Sequence, residues 1–151
     1  MKQVLVTGAN GQLGKSIKRI SPNFKGLKFV FTDKADLDIT NSEEVNTFFE
    51  SNALDYCINC AAYTSVDKAE EETDKAYLIN ATAVKNLAEA CKKSGAVLIH
   101  ISTDFVFDGT KRTPYTEEDT PNPLSVYGKS KLKGEEHVQE SCDRHLSLIH
   151  I

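Results

Sequence analysis

Short apolar segments alternate with amphipathic segments along this chain, and the alternation constrains its fold more than any other feature. The apolar segments are rich in β-branched and aromatic residues and predict strands over residues 3–7, 28–32, 54–60 and 96–101. Apolar residues at helical spacing predict helices over residues 12–20, 41–51, 75–94 and 126–141. Such an order predicts a doubly wound α/β fold with a parallel sheet. Residues 96–101 are almost continuously apolar, so we expect a strand buried on both faces.

A glycine-rich turn joins the first predicted strand to the first predicted helix. Gly8, Gly11 and Gly14 have the spacing G-x-x-G-x-x-G, a variant of the dinucleotide-binding fingerprint. Glycine lets the backbone approach a pyrophosphate closely, and the helix N-terminus offers free amides and the positive end of the helix dipole. The turn therefore predicts a nucleotide cofactor site.

Asp33 lies at the end of the second predicted strand, 19 residues after Gly14. An acidic residue at about this distance is expected to bind the ribose hydroxyls of adenosine. Its carboxylate favours NAD, because it would repel the 2′-phosphate of NADP. Lys34 lies beside it and could offset the repulsion, so NADH and NADPH both remain candidates.

Tyr127 and Lys131 form a Y-x-x-x-K pair on the last predicted helix. Residues four apart lie on one helix face, and a nearby ammonium lowers the pKa of a phenol, which suits Tyr127 to proton transfer. Ser102, Thr103 and Asp104 follow the fourth predicted strand at the carboxyl edge, where such sheets bind ligands. A hydroxyl there can bind a substrate carbonyl.

These elements, in this order, resemble the extended short-chain dehydrogenase/reductases and, more narrowly, the dTDP-4-dehydrorhamnose reductase family. The resemblance covers nearly the whole chain. It is carried by GANGQLG at 8–14, LDIT at 37–40, NCAAYTSVDKAE at 59–70, HISTDFVFDG at 100–109 and YGKSKLKGE at 127–135. It implies a Rossmann-type domain and the NAD(P)H-dependent reduction of the C4 ketone of dTDP-4-dehydro-L-rhamnose.

The resemblance also implies roles for individual residues. Cofactor contacts would come from Gly8, Gly11, Gln12, Leu13, Gly14, Asp33, Asp38, Ile39, Ala62, Tyr63, Thr64, Tyr127 and Lys131. Tyr127 would donate the proton, while Lys131 would hold the nicotinamide ribose and tune Tyr127. Thr103 and Asp104 would hold the sugar near its C4 carbonyl, and Thr103 takes a hydroxyl role that many relatives give to serine. A requirement for Mg²⁺ and the formation of a homodimer stay open.

Two other functions compete with this interpretation. Sugar-nucleotide dehydratases and epimerases also resemble this chain, but the dehydratases place an acidic residue after the Thr-Asp pair, where this chain has Phe105. The NADP-binding regulatory subunit of methionine adenosyltransferase shares the fold without being an enzyme. The presence of Thr103, Tyr127 and Lys131 together favours the reductase, since a regulatory protein need not keep all three.

Charge and composition exclude several partners. The net charge of −4 provides no basic surface for nucleic acid, and no apolar run approaches the 18 residues of a membrane span. The N-terminus has no secretory signal pattern, so we expect a cytoplasmic protein. Cys57 and Cys60 have C-x-x-C spacing, but on a strand they point to opposite faces and would grip one metal poorly. We expect buried thiols there and no metal site.

The chain has 151 residues, about half the length that the resemblance implies. We therefore expect residues 1–145 to form an incomplete Rossmann domain and the chain by itself to be inactive as a reductase. Residues 146–151 read LSLIHI, a peptide encoded by the end sequence of a transposon-based sequencing adaptor. We expect this segment to be a non-native tail, the alternative being a natural or engineered N-terminal fragment. Its apolar alternation suits it to the edge of the sheet.

Overall fold

The computed structural model describes residues 1–149 and contains one five-stranded parallel sheet. Its strands are β1 (Lys2–Thr7), β2 (Leu27–Phe31), β3 (Tyr56–Asn59), β4 (Val97–Ile101) and β5 (His145–Leu148). They lie in the order β2-β1-β3-β4-β5, and every neighbouring pair is parallel. The doubly wound α/β fold predicted from the sequence is confirmed.

Helices connect the strands. They are α1 (Gln12–Ile20), α2 (Ser42–Ser51), α3 (Val66–Glu71), α4 (Thr73–Tyr77), α5 (Ala83–Ser94) and α6 (Val126–Ser141). The side chain of Asn41 accepts from the amides of Glu43 and Glu44 and so begins α2, while Gly95, at φ 75°, ends α5. Among residues 1–149, no helix is long and apolar enough to cross a bilayer.

The main core lies between one face of the sheet and helices α2, α5 and α6. Leu5, Cys57 and Leu98 from the central strands pack there against Val84 and Leu87 of α5. Cys57, Cys91 and Cys142 are buried, Cys60 is half-buried, and all four are free thiols. The opposite face is covered less fully. An apolar groove of about 400 Å³ opens there between α1 and the strands, lined by side chains that include Ile17, Phe29 and Ile99.

Three features differ from the sequence-based expectations. Residues 75–94 are not one regular helix, because a π-helical turn (Leu78–Thr82) separates α4 from α5. Helix α3 and the 3₁₀ turn Asp104–Val106 lie in segments for which no helix was predicted. Strand β4 is not buried on both faces: Leu98 and His100 are buried, but Val97, Ile99 and Ile101 are only half-buried because their face borders the open groove.

The edge position expected for the LSLIHI segment is confirmed as far as the described residues reach. Strand β5 pairs with β4 through the register Ile99 with Leu146 and Ile101 with Leu148. This strand crosses the predicted boundary between residues 145 and 146, and the origin of the segment stays a prediction. Residues 150 and 151 of the predicted tail lie outside the described residues.

Close packing of α6 generates a prediction about Gly134. Alanine would gain about 1 kcal/mol of helix propensity there. Its Cβ, however, would lie 2.2 Å from the backbone oxygen of Asn80 in the π-helical turn. We expect Gly134→Ala to lower the free energy of unfolding by about 1–3 kcal/mol in urea denaturation.

Gly26→Ala is the matched control, since an added Cβ meets no atom within 4 Å there. It should change the free energy of unfolding by no more than about 0.5 kcal/mol. Equal effects of the two substitutions would show that the approach of α6 to the π-helical turn is not tight.

Candidate active site

The predicted site residues meet at the carboxyl edge of the sheet. The glycine turn follows β1, Ala62–Thr64 follow β3, and Thr103 follows β4. After β1 the chain crosses to β2 on one side of the sheet order, and after β3 it crosses to β4 on the other side. A crevice therefore lies between the carboxyl ends of β1 and β3. Ligands bind at this kind of switch point in open α/β sheets.

The glycine turn is shaped by close contact with β3. Gly8 has φ 63°, and a Cβ on it would lie 2.6 Å from the amide nitrogen of Ala61. Gly14 is buried, and a Cβ there would lie 2.6 Å from the carbonyl oxygen of Gly8. Gly11 is the N-cap of α1, and within residues 1–149 no side chain caps this helix. Its first amides, including those of Gln12 and Leu13, therefore remain available to an anion.

Asp33 lies beside the glycine turn and is held on both sides. Its carboxylate accepts from the side-chain amide of Asn10 and, at 2.8 Å, from the backbone amide of Lys34. These bonds fix the carboxylate at the place where the sequence predicts a ribose contact. Lys34 is largely exposed, and its Nζ lies 3.8 Å from the carboxylate of Asp38.

Asp38 and Ile39 occupy different environments. Asp38 accepts from the hydroxyl of Thr40 at 2.7 Å and from its amide at 3.0 Å, and these bonds lower the pKa of the Asp38 carboxyl. Ile39 is buried in the main core, and its carbonyl accepts from the side-chain amide of Asn86. Burial thus leaves 8% of the surface of Ile39 exposed for the expected contact with adenosine.

The loop after β3 is held by one side chain of the π-helical turn. The amide group of Asn80 accepts from the backbone amide of Tyr63 at 2.8 Å and donates to its carbonyl at 3.0 Å. The same group donates to the hydroxyl of Ser130 on α6 at 3.0 Å. Asn80 therefore joins the predicted cofactor loop to the helix that bears Tyr127. Ala62 is half-buried and Thr64 is exposed along this loop.

The phenol of Tyr63 points away from this connection and donates to Glu72 at 2.6 Å. This bond raises the pKa of Tyr63 and lowers that of Glu72. Its backbone, rather than its phenol, is therefore placed at the loop's hydrogen-bonded core.

Two caps fix the beginning of α6. The hydroxyl of Ser125 accepts from the amide of Gly128 at 3.0 Å, and the carboxylate of Glu70 on α3 accepts from the amide of Val126 at 2.8 Å. Tyr127 follows at once and is buried, with the ring of Phe105 edge-on to it at 5.5 Å. A Cβ on Gly128 would lie 2.2 Å from the carbonyl oxygen of Phe105, so the 3₁₀ turn lies directly against α6.

This packing brings Thr103 and Asp104 next to the helix that bears Tyr127. The hydroxyl of Thr103 accepts from the amide of Phe105 at 3.2 Å and donates to the carboxylate of Asp104 at 3.3 Å. Thr103 thus caps its own turn. Asp104 is exposed at the mouth of the crevice.

Lys131 is the most deeply buried charged side chain of the site, with 1% of its surface exposed. Its Nζ donates to the carbonyl oxygen of Ile101 at 2.5 Å and lies 3.5 Å from Nε2 of His100. Burial lowers the pKa of Lys131 to about 8, and Glu135, one turn along α6, opposes this shift. His100 is itself fully buried, and burial together with Lys131 lowers its pKa to about 3. The imidazole is therefore neutral at physiological pH.

No group of three or more His, Cys, Asp or Glu side chains in the described part of the chain is arranged to hold a metal ion. The polar groups at the crevice are amides, hydroxyls, the ammonium of Lys131 and the carboxylates of Asp33 and Asp104. These groups suit a phosphate and a ribose, and the glycine turn leaves room for a backbone contact that a Cβ would fill.

Comparison with known proteins assigns the chain to a family. Residues 1–149 match the model of the RmlD substrate binding domain. The chain belongs to this family. The matched range contains the whole described sheet. The region matched by this family model therefore includes the glycine turn and the Tyr127/Lys131 pair.

Reductases are among the relatives. A dTDP-4-dehydrorhamnose reductase of Aggregatibacter actinomycetemcomitans is 44% identical over 135 residues, which are 89% of this chain and 46% of the relative. A solved reductase from Clostridium acetobutylicum is 48% identical with a TM-score of 0.93, over 96% of this chain and 51% of the other. A reductase from Bacillus anthracis, solved in complex with NADP, is 42% identical with a TM-score of 0.94. The match covers 97% of this chain and 52% of the other. The chain spans about half the length of the relatives it matches, as the resemblance implied.

Several residues that shape the site were not found from the sequence. Asn80, Asn59 and Glu70 act through hydrogen bonds between elements far apart in the chain, which local patterns do not reveal. His100 gave a signal that could have been used. A histidine inside the almost wholly apolar segment 96–101 needs a polar partner if that segment is buried.

The buried imidazole predicts a specific sensitivity to acid. Because the pKa of His100 is lowered in the folded state, the unfolded state binds the proton more readily. Stability is therefore fully present above about pH 6.5 and is lost as the pH falls from there toward about 3. The loss contributed by His100 approaches at most about 1.4 kcal/mol per pH unit within this window.

We expect His100→Gln, whose amide can still form hydrogen bonds but cannot titrate, to flatten the pH dependence of the free energy of unfolding in urea denaturation between pH 7 and 5. Leu98→Val, on the same strand and face, is the control. The difference in the free energy of unfolding between this variant and the native chain should not vary with pH. An equally steep decline in His100→Gln and the native chain would contradict the assignment of a neutral buried His100.

Proposed function

We propose that the complete protein reduces the C4 ketone of dTDP-4-dehydro-L-rhamnose to give dTDP-L-rhamnose, using NADPH or NADH. The observation that carries the proposal is the position of α6. It places Tyr127 and the buried Lys131 one turn apart, beside the turn that bears Thr103, at the edge where the glycine turn opens. The names of the reductase relatives support the choice of substrate, and the NADP complex of the Bacillus anthracis relative supports the cofactor.

In the proposed mechanism the phenol of Tyr127 gives its proton to the ketone oxygen. The ammonium of Lys131 stabilises the phenolate that this leaves. Thr103 and Asp104 orient the sugar, with the threonine hydroxyl turning from Asp104 to the carbonyl. When bound, the reduced nicotinamide supplies the hydride, so that one hydride and one proton convert the ketone into an alcohol.

The glycine turn and Lys131 would hold the cofactor. The free amides at the start of α1 would bind its pyrophosphate, and the carboxylate of Asp33 would accept from its adenosine ribose. One N–H of the Lys131 ammonium donates to the carbonyl oxygen of Ile101, which leaves two N–H groups to donate to ribose hydroxyls and to the phenol oxygen of Tyr127. We place this chemistry in the cytoplasm and infer a homodimer as the assembled form.

Exchange of halves with a reductase relative tests the proposal. A chimera would carry residues 1–145 of this chain in place of the matching part of the Clostridium acetobutylicum enzyme, which is 48% identical there. We expect it to reduce dTDP-4-dehydrorhamnose. Tyr127→Phe in the chimera should lower kcat by about 10²–10⁴-fold, because the proton donor is lost.

The dissociation constant of NADPH should change less than about threefold in Tyr127→Phe, since only the phenol oxygen is removed. Leu124→Ala, at an exposed position just before α6, is the control and should keep kcat. If the chimera without further substitutions binds NADPH but does not reduce dTDP-4-dehydrorhamnose, the result would favour a nucleotide-binding regulatory module over a reductase.

The carboxylate of Asp33 predicts a change in cofactor preference. Asp33→Asn keeps a side chain that can bond to Asn10 and removes the charge that faces a 2′-phosphate. We expect the ratio of the dissociation constants of NADPH and NADH to move toward NADPH by about tenfold, or ~1.4 kcal/mol. Calorimetric titration of the 151-residue chain measures both constants. Asp36→Asn, an exposed neighbour, is the control, and an unchanged ratio in Asp33→Asn would remove Asp33 from the cofactor site.

A further inference from the structure

Four buried polar side chains form a chain of contacts across the sheet, from the strand before the glycine turn to the helix of the proposed active site. The hydroxyl of Thr7 donates to Oδ1 of Asn59 at 2.7 Å, and Nδ2 of Asn59 lies 3.2 Å from Nδ1 of His100. Nε2 of His100 then lies 3.5 Å from Nζ of Lys131. None of the four is more than 1% exposed. Polar groups at this depth are costly unless each has a defined partner.

The orientation of the Asn59 amide decides the state of the imidazole. The backbone amide of Ala61 lies 3.2 Å from Oδ1 of Asn59. A backbone N–H can only donate, so the side-chain oxygen must face Ala61 and the NH₂ group must face His100. Nδ1 of His100 is therefore the acceptor of this bond and carries no proton.

A neutral imidazole carries one proton, which leaves it on Nε2, the nitrogen that faces Lys131. The N–H at Nε2 of His100 and the ammonium of Lys131, both donors, therefore face each other, and the distances from Nζ agree with this arrangement. Nζ of Lys131 approaches the carbonyl oxygen of Ile101 to 2.5 Å but stays 3.5 Å from Nε2, at the outer limit for a hydrogen bond. An ammonium that donated to the imidazole would lie closer.

We propose that His100 is a positioning residue whose Asn59-held Nε2–H prevents the Lys131 ammonium from donating to the imidazole and so leaves its N–H groups that do not bind Ile101 to point to the proposed cofactor crevice. This inference rests on the proposed role of Lys131 in holding a ribose and tuning Tyr127. The charged group that opposes the effect is Glu135 on α6 itself, which favours the ammonium. From β4, the titratable side chain in contact with Lys131 is His100.

The first test uses the native 151-residue chain and needs no cofactor. Imidazole ¹⁵N shifts report which ring nitrogen carries the proton, and the signals of His100 are assigned by their loss in His100→Gln. We expect a neutral ring protonated at Nε2 from pH 5 to 9. A ring protonated at Nδ1, or one that becomes charged within this range, would overturn the proposal.

The second test follows the titration of Lys131 by NMR of ¹³Cε-labelled lysine. His100→Phe keeps a ring of similar shape but removes the N–H that faces the ammonium. We expect it to raise the titration midpoint of Lys131 by about one pH unit, a tenfold change in the ionisation constant. His100→Gln can accept from Asn59 and present an N–H to Lys131, so it should restore a midpoint near the native one.

Leu98→Val is the control for a packing change on the same strand, and it should leave the midpoint of Lys131 unchanged. An unchanged or lowered midpoint in His100→Phe would overturn the proposal. If His100→Phe does not fold, the position of the proton on the His100 ring of the native chain still decides whether the proposal holds. Failure of the chain to bind NADH or NADPH would count against the proposed function, while the NMR results on His100 would stand or fall independently.

Discussion

The close approach of α6 to the carboxyl edge of the sheet is the constraint on which the rest of the site depends. Two glycines permit it: Gly128 lies against the carbonyl of Phe105, and Gly134 lies against the carbonyl of Asn80. The approach leaves no room for water around the stem of Lys131, so the ammonium is buried and its pKa falls to about 8. It also presses Tyr127 against the turn that bears Thr103. The chemistry proposed for the site is thus a consequence of backbone packing.

Hydrogen bonds from single side chains then connect α6 to the loop that borders the proposed cofactor crevice. Asn80 binds both the loop after β3 and Ser130 of α6, and Glu70 fixes the first amide of the same helix. Asn80 lies in the π-helical turn, and such turns are frequent at functional sites. The two halves of the site, the glycine turn and α6, are therefore coupled through the elements between β3 and β4.

The alternation of apolar and amphipathic segments was enough to predict four strands, the parallel sheet and most helix limits, because each signal is local. Gly95 and Asn41 marked helix ends for the same reason. The π-helical turn, α3 and the half-exposed face of β4 were missed, since they depend on contacts between distant segments. At the site, Tyr127, Lys131 and Thr103 carried recognisable motifs. Asn59 and His100 did not, because their role arises only where three neighbouring strands meet.

In the proposed function, the glycine turn, the loop after β3 and Lys131 together form one cofactor site. Titration of the ¹⁵N-labelled chain with NADH or NADPH, followed through its amide NMR signals, tests this most directly. We expect the largest shifts at Gly11, Gln12 and Leu13, at Ala62–Thr64 and around Lys131. Unchanged signals at millimolar cofactor, or shifts confined to the apolar groove beside Ile17 and Phe29, would contradict it.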